Sequence, residues 1–192
     1  MSKRKSLYTK HGDTGDTNLL YGGRVSKASL QCEAYGAVDE ATSALGLARA
    51  LSGDLVIQST LKAIEIDLFT VAAELATDPK KYQMFKKYFR PVTAEMTHHV
   101  ETLIDDFQAK TDLPRSFIIP GGSTASAAID LGRTTIRRAE RNTVRLAAHS
   151  KLANPEILKY LNRVGDLLFI IARYQDRDTL MEKLSDESPR VQ

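Results

Sequence analysis

A single cysteine, Cys32, stands among the 192 residues. It allows neither an internal disulfide nor a cysteine-rich zinc site, and it suits a reducing cytoplasm. Histidine is nearly as scarce, at positions 11, 98, 99 and 149. Glu95-Met96-Thr97-His98 has the Glu-x-x-His spacing of a di-iron bundle. That site needs a second such motif and two further glutamates, and none of the other three histidines has a glutamate three residues before it. There is no His-Glu-x-x-His and no credible cysteine nucleophile. No apolar run nears the roughly 20 residues of a membrane span, so no membrane partner is expected. Met1-Ser2-Lys3-Arg4-Lys5 has no apolar stretch behind it, which argues against a secretory signal. The length suits one domain with a sizeable core.

What is present is unevenly charged. The net charge of +3 is too small to suggest a nucleic-acid partner, but it conceals blocks. Residues 1–30 carry +4, residues 31–132 carry −5, residues 133–173 carry +6 and residues 174–192 carry −2. Two distant basic blocks either converge on one anionic ligand or form two solvated faces.

Periodicity predicts an all-α bundle of five helices behind an irregular arm. Residues 1–28 are rich in Gly, Thr, Asp and Ser without a sustained period. A helix begins near Ser29, through Tyr35, Val38, Thr42 and Leu45, and stops at Ser52-Gly53. Ile57, Leu61, Ile64, Leu68, Val71 and Leu75 form a heptad seam that Asp78-Pro79 ends. Residues 79–92 read as a loop with aromatic anchors. Met96, Val100, Leu103 and Phe107 mark a third helix. The fourth is capped by Ser123 or Thr124 and runs to about His149. The fifth starts with Asn154 as cap and Pro155 at the first position. After Tyr174 the chain turns polar and is expected to fray. No strand is evident. The division is therefore an arm (1–28), a bundle (29–175) and a polar tail (176–192), one domain in all.

Arg133, Arg137, Arg141 and Arg145 recur every four residues, giving one slowly winding stripe on the fourth helix. Like charges at that spacing repel by a few tenths of a kcal/mol per pair. Acids, solvent or an anionic ligand must offset this. Guanidinium forks suit phosphate oxygens. The arm's Thr9-Lys10-His11-Gly12-Asp13-Thr14-Gly15-Asp16-Thr17 reads either as a plain turn cluster or as a loop turning N–H groups toward an anion. It is not a P-loop. Asp39 and Glu40 lie inside the first helix. Asn162-Arg163 and Asp166 form a polar cluster between apolar neighbours, either a structural network or part of a site.

Three segments, in order, resemble the cobalamin adenosyltransferase family (PduO-type ATP:cob(I)alamin adenosyltransferases). The first is Thr9-Lys10-x-Gly12-Asp13-x-Gly15-x-Thr17, followed by Gly23-Arg24-Val25-x-Lys27 and Ala34-Tyr35-Gly36-x-Val38-Asp39-Glu40. The second is Phe117-Ile118-x-Pro120-Gly121-Gly122-Ser123, then Arg133-Thr134-x-x-Arg137-Arg138-Ala139-Glu140-Arg141. The third is Tyr160-x-Asn162-Arg163-x-x-Asp166-x-Leu168-Phe169. The resemblance runs from about Tyr8 to Arg173.

The resemblance implies a five-helix bundle assembled as a homotrimer, with active sites between subunits. It implies transfer of the 5′-deoxyadenosyl group of ATP, bound with Mg²⁺, to cob(I)alamin, giving adenosylcobalamin and triphosphate. It implies nucleotide contacts from Thr9, Lys10, His11, Gly12, Asp13, Gly15, Thr17, Asn18 and Lys27 of the arm. Arg137, Arg138, Glu140, Arg141 and Asn162 would supply the helical share. Arg137 would be the main triphosphate contact, and Arg133 would pair with Asp39 across the interface. Phe117 would lie at the corrinoid's lower face. A reductase and a B12-dependent enzyme are implied as partners. An ATP- or adenosylcobalamin-binding carrier or sensor of the same fold is the alternative. The chain departs from the family's S-A-x-L-H-x-A-R stretch with Asp130 for His and Gly132 for Ala. In the arm, Thr14 and Asp16 stand where many relatives have Lys and a neutral residue.

Overall fold

The computed structural model describes Tyr8, residues 10–150 and residues 152–184. Every long helix starts where a side chain can accept an N–H that the helix itself leaves unpaired. Ser29 caps α1 (Leu30–Leu51), accepting from the Cys32 N–H. Asp54 caps α2 (Leu55–Leu75), accepting from Val56 and Ile57. Thr93 caps α4 (Ala94–Gln108). Ser123 and Ser126 cap α5 (Thr124–His149) reciprocally. Ahead of α6 (Glu156–Gln175), Asn154 Oδ1 accepts from the Glu156 N–H at 3.1 Å. Pro155 stands just before the helix rather than at its first position.

The predicted seam of α2 is buried from Ile57 to Leu75. It meets Val38 and Leu45 of α1, Ile129 and Ile136 of α5, and Leu161, Val164, Leu168 and Ile171 of α6 in one core. α1 and α5 run antiparallel, so Asn142, near the end of α5, donates to the Glu33 carbonyl in the first turn of α1 (3.3 Å). Gly132 permits a close approach. A Cβ there would lie 2.7 Å from Leu45 Cδ2.

Three parts differ from expectation. The arm contains two short antiparallel strands, β1 (Asp16–Asn18) and β2 (Arg24–Ser26), with Thr17 opposite Val25. Three-residue strands are too short to show an alternating pattern. Residues 79–92 are not a plain loop but a 3₁₀ turn (Pro79–Lys81) and a short helix, α3 (Tyr82–Tyr88). Its Phe85 is fully buried. The buried Glu74 carboxylate ties this segment down, accepting from the Tyr82 hydroxyl, the Val92 N–H (2.9 Å) and Asn154 Nδ2 (2.8 Å). Finally, residues 176–184 do not fray. Ile119 N–H donates to the Glu182 carbonyl and Leu184 N–H to the Phe117 carbonyl, both at 2.9 Å.

Candidate active site

The arm is anchored before it offers anything to a ligand. Leu20 N–H donates to the Ala76 carbonyl at the end of α2 (2.8 Å). Tyr21 stacks on Tyr88 of α3, with ring centroids 6.1 Å apart. Underneath, Tyr35 of α1 hydrogen-bonds the Thr17 hydroxyl, and its own hydroxyl meets Cys32 Sγ at 3.0 Å. Burial first, and then Cys32, push the Tyr35 phenol up to about 12, so it keeps its proton at neutral pH.

The loop above this anchor is exposed. Lys10 takes φ +61° and Gly15 φ +86°, so the chain reverses tightly. Gly15 N–H reaches the Gly12 carbonyl at 3.2 Å. Lys27 Nζ donates to that same carbonyl (2.8 Å), and Arg24 donates to the His11 carbonyl (3.0 Å). Asp16 lies 3.7 Å from Arg24, which locally offsets the added acid. Lys10, His11, Asp13 and Asn18 are exposed. Thr9 lies outside the described residues.

On α5 the four arginines of the stripe do not share one environment. Arg137, Arg141 and Arg145 are exposed and line, with Glu140 and Val144, a surface cavity of about 410 Å³. Among the described residues their guanidinium groups form no ion pair. Arg138 instead pairs with Glu40 of α1, one residue from the exposed Asp39. Arg133 bonds Asp130 through Nε at 3.0 Å and is not paired with Asp39 within the chain.

Asn162 is drawn into a polar relay across three helices. It donates to Glu140 (3.1 Å) and accepts from Arg163 (2.8 Å), and Arg163 binds Glu101 of α4 (2.8 Å). Arg163 therefore has a structural role. Its guanidinium is the first cause that holds the Glu101 carboxyl below its usual range.

Phe117 stands apart from all of these. It is 82% exposed and lies ahead of α5, whereas the arm sits at the far end of that helix. The 26 residues of α5 span about 39 Å at 1.5 Å per residue. Beside Phe117 the returning segment exposes Leu180 and shares a cavity of about 490 Å³ with Leu113 and Pro114.

Arg173 was not foreseeable from spacing. It is 4% exposed, and a buried guanidinium is rare enough that sequence alone does not suggest one. Asp130 stands three residues before Arg133, a spacing at which side chains on a helix meet. Among the described residues, no group of three or more His, Cys, Asp or Glu is placed to hold a metal. No described helix is long and apolar enough to cross a membrane.

A helical bundle with a glycine-bearing loop at one end, an arginine-lined cavity on the second half of α5 and an exposed aromatic ahead of that helix defines a class: an all-α bundle whose cationic and apolar surfaces are separated along one helix. The chain belongs to the cobalamin adenosyltransferase family, whose profile matches residues 7–175. It is 40% identical over 175 residues to a corrinoid adenosyltransferase of Bacillus subtilis, covering 87% of this chain and 84% of that protein. It is 36% identical over 173 residues to the corrinoid adenosyltransferase PduO of Salmonella typhimurium, covering 90% of this chain. It spans only half of that protein's length. Among solved structures, it resembles a variant PduO-type ATP:corrinoid adenosyltransferase from Lactobacillus reuteri complexed with cobalamin and ATP. The TM-score is 0.85 at 29% identity, covering 93% of this chain and 98% of that one.

Proposed function

We propose that the protein is a corrinoid adenosyltransferase that moves the 5′-deoxyadenosyl group of ATP onto cob(I)alamin and releases triphosphate. One observation carries this reading beyond the family likeness: the cavity walled by Arg137, Arg141 and Arg145, whose guanidiniums have no acid partner among the described residues. In the transfer, the cobalt electron pair forms the cobalt–carbon bond as the C5′–O bond breaks. Negative charge then gathers on the departing triphosphate. Cations fixed in advance toward that charge lower the barrier. Arg137 is the main contact, joined by Arg141 and by Glu140 and Asn162 as its polar floor. The arm supplies Thr9, Lys10, His11, Gly12, Asp13, Gly15, Asn18 and Lys27, with Thr17 tethering it to Tyr35. Arg138, held by Glu40, serves the nucleotide from the α1 side. Mg²⁺ prefers phosphate oxygens with one or two carboxylates over a protein cage, which fits an arm offering Asp13 and Asp16. Cobalt supplies the nucleophile, so the protein contributes position and exclusion of water. Phe117 displaces the corrinoid's lower ligand and favours the four-coordinate state that is easier to reduce.

The distance between arm and Phe117 supports a site that takes its nucleotide half and its corrinoid half from different copies, in the homotrimer that the family resemblance implies. Arg133 and Asp39 then meet between copies. The single buried Cys32 favours the cytoplasm, where a reductase would supply cob(I)alamin and a B12-dependent enzyme would use the product.

The test is turnover. ATP with chemically reduced cob(I)alamin is expected to give adenosylcobalamin, followed by its absorbance change. No product at saturating ATP overturns the proposal. Tight corrinoid binding without turnover identifies a carrier or sensor instead.

A further inference from the structure

Asp130 is 5% exposed, and a single oxygen, Oδ1, accepts from two arginines. Arg173 Nη1 donates at 2.9 Å and Arg133 Nε at 3.0 Å. The two cations are differently placed. Arg173 is 4% exposed, its guanidinium 4.6 Å from the centroid of the Phe169 ring. The Arg133 side chain is 24% exposed. A buried guanidinium needs a counter-charge, so Arg173 alone accounts for a carboxylate at position 130. It does not account for Arg133, which would lie out in solvent as Arg137 does. Arg133 is instead drawn back by its Nε. Its Nη1 and Nη2 groups form no bond among the described residues.

We propose that Asp130 is a positioning residue: from within its own subunit it fixes the fork of Arg133, so that both terminal nitrogens face outward to the interface site. This rests on the proposed transferase activity. A guanidinium caught at Nε keeps its paired terminal N–H groups free and coplanar, the geometry that binds a carboxylate or phosphate bidentately. Spacing of three along α5, with the acid toward the N-terminus, lets the bond form without distorting the helix. The acid also lies beside Gly132, whose closeness to Leu45 pins this turn of α5 against α1. The fork is thus aimed before any ligand or second copy arrives.

Removing Asp130 alone leaves Arg173 buried and unpaired, which threatens the fold. The decisive variant is therefore Asp130→Leu with Arg173→Met, since replacing both members of a buried pair by apolar residues is often tolerated. Its circular dichroism and melting should stay near those of the unmodified protein. Its kcat should fall about tenfold, with KM for ATP within about twofold. Adding Arg133→Ala to it should cost much less than Arg133→Ala costs in the unmodified protein, because the two changes act through one group. A second measurement is independent of activity. The Arg133 Nε–H of the unmodified protein should give a sharp, slowly exchanging NMR signal that the double variant lacks. Unchanged kcat in the folded double variant, additive losses, or an unprotected Nε–H overturns the positioning role. Absence of turnover in the unmodified protein overturns the transferase reading instead, and the NMR signal still decides the role of Asp130.

Discussion

Leu45 Cδ2 occupies the space that a Cβ on Gly132 would need, 2.7 Å from its ideal position. The glycine leaves room for that methyl, although it weakens the helix by about 1 kcal/mol against alanine. Gly132→Ala is therefore expected to destabilise the protein, since forcing a methyl into a tight core costs about 1–3 kcal/mol. Thermal melting checks this. Leu45→Ala in the same chain should relieve the clash while leaving its own cavity cost.

Tyr35 should matter to nucleotide binding without touching the nucleotide. Tyr35→Phe removes the hydroxyl that meets Thr17 and Cys32, a loss of about 1 kcal/mol per hydrogen bond. The expected result is a KM for ATP raised severalfold with corrinoid affinity unchanged, measured by steady-state kinetics with each substrate varied in turn.

Arg137→Ala should lower kcat by roughly 10²–10³, the range for losing one preorganised donor to developing charge. Its stem passes beside Gly165 of α6 but the residue is exposed, so the far-ultraviolet circular dichroism should not change.

Asp67 should leave a mark on pH dependence. Burial raises its carboxyl above the usual range, against the lowering effects of the Tyr160 hydroxyl and His99. A raised value means that the folded state favours the proton. The stability this contributes is complete below the unfolded value of about 4 and is lost as pH rises through the folded one. Asp67→Asn keeps an acceptor for Tyr160 and removes the cost of ionisation. The melting temperature of the variant relative to the unmodified protein should therefore rise from pH 4 to pH 7. A difference that stays constant or reverses over that range contradicts the assignment.

The long elements were legible because their signals are local. The α2 seam has one residue per turn facing the core, and Ser29, Asp54 and Ser123 are side chains that suit helix starts and not helix interiors. The helix over 82–88 was not legible, because Lys80, Lys81, Lys86 and Lys87 obscure the pattern and its anchor is a buried carboxylate six residues upstream of Lys80. The returning segment at 182–184 owes its place to backbone bonds with residues 117–119, a pairing that no local pattern announces. Within the candidate site, the arginine spacing was visible. The division of labour along the stripe was not, because it depends on which neighbours reach each guanidinium: Asp130 for Arg133, Glu40 for Arg138, and no described acid for Arg137 and Arg141.

The length of α5 has a genetic corollary. If nucleotide and corrinoid halves come from different copies, a lesion in one half is complementable by a lesion in the other. A population with Arg137→Ala and a population with Phe117→Ala, each inactive by itself, should recover partial turnover once their subunits are mixed and exchanged. Some junctions of a mixed assembly then collect both defects and spare a neighbouring junction entirely. The fraction recovered counts the junctions that escaped.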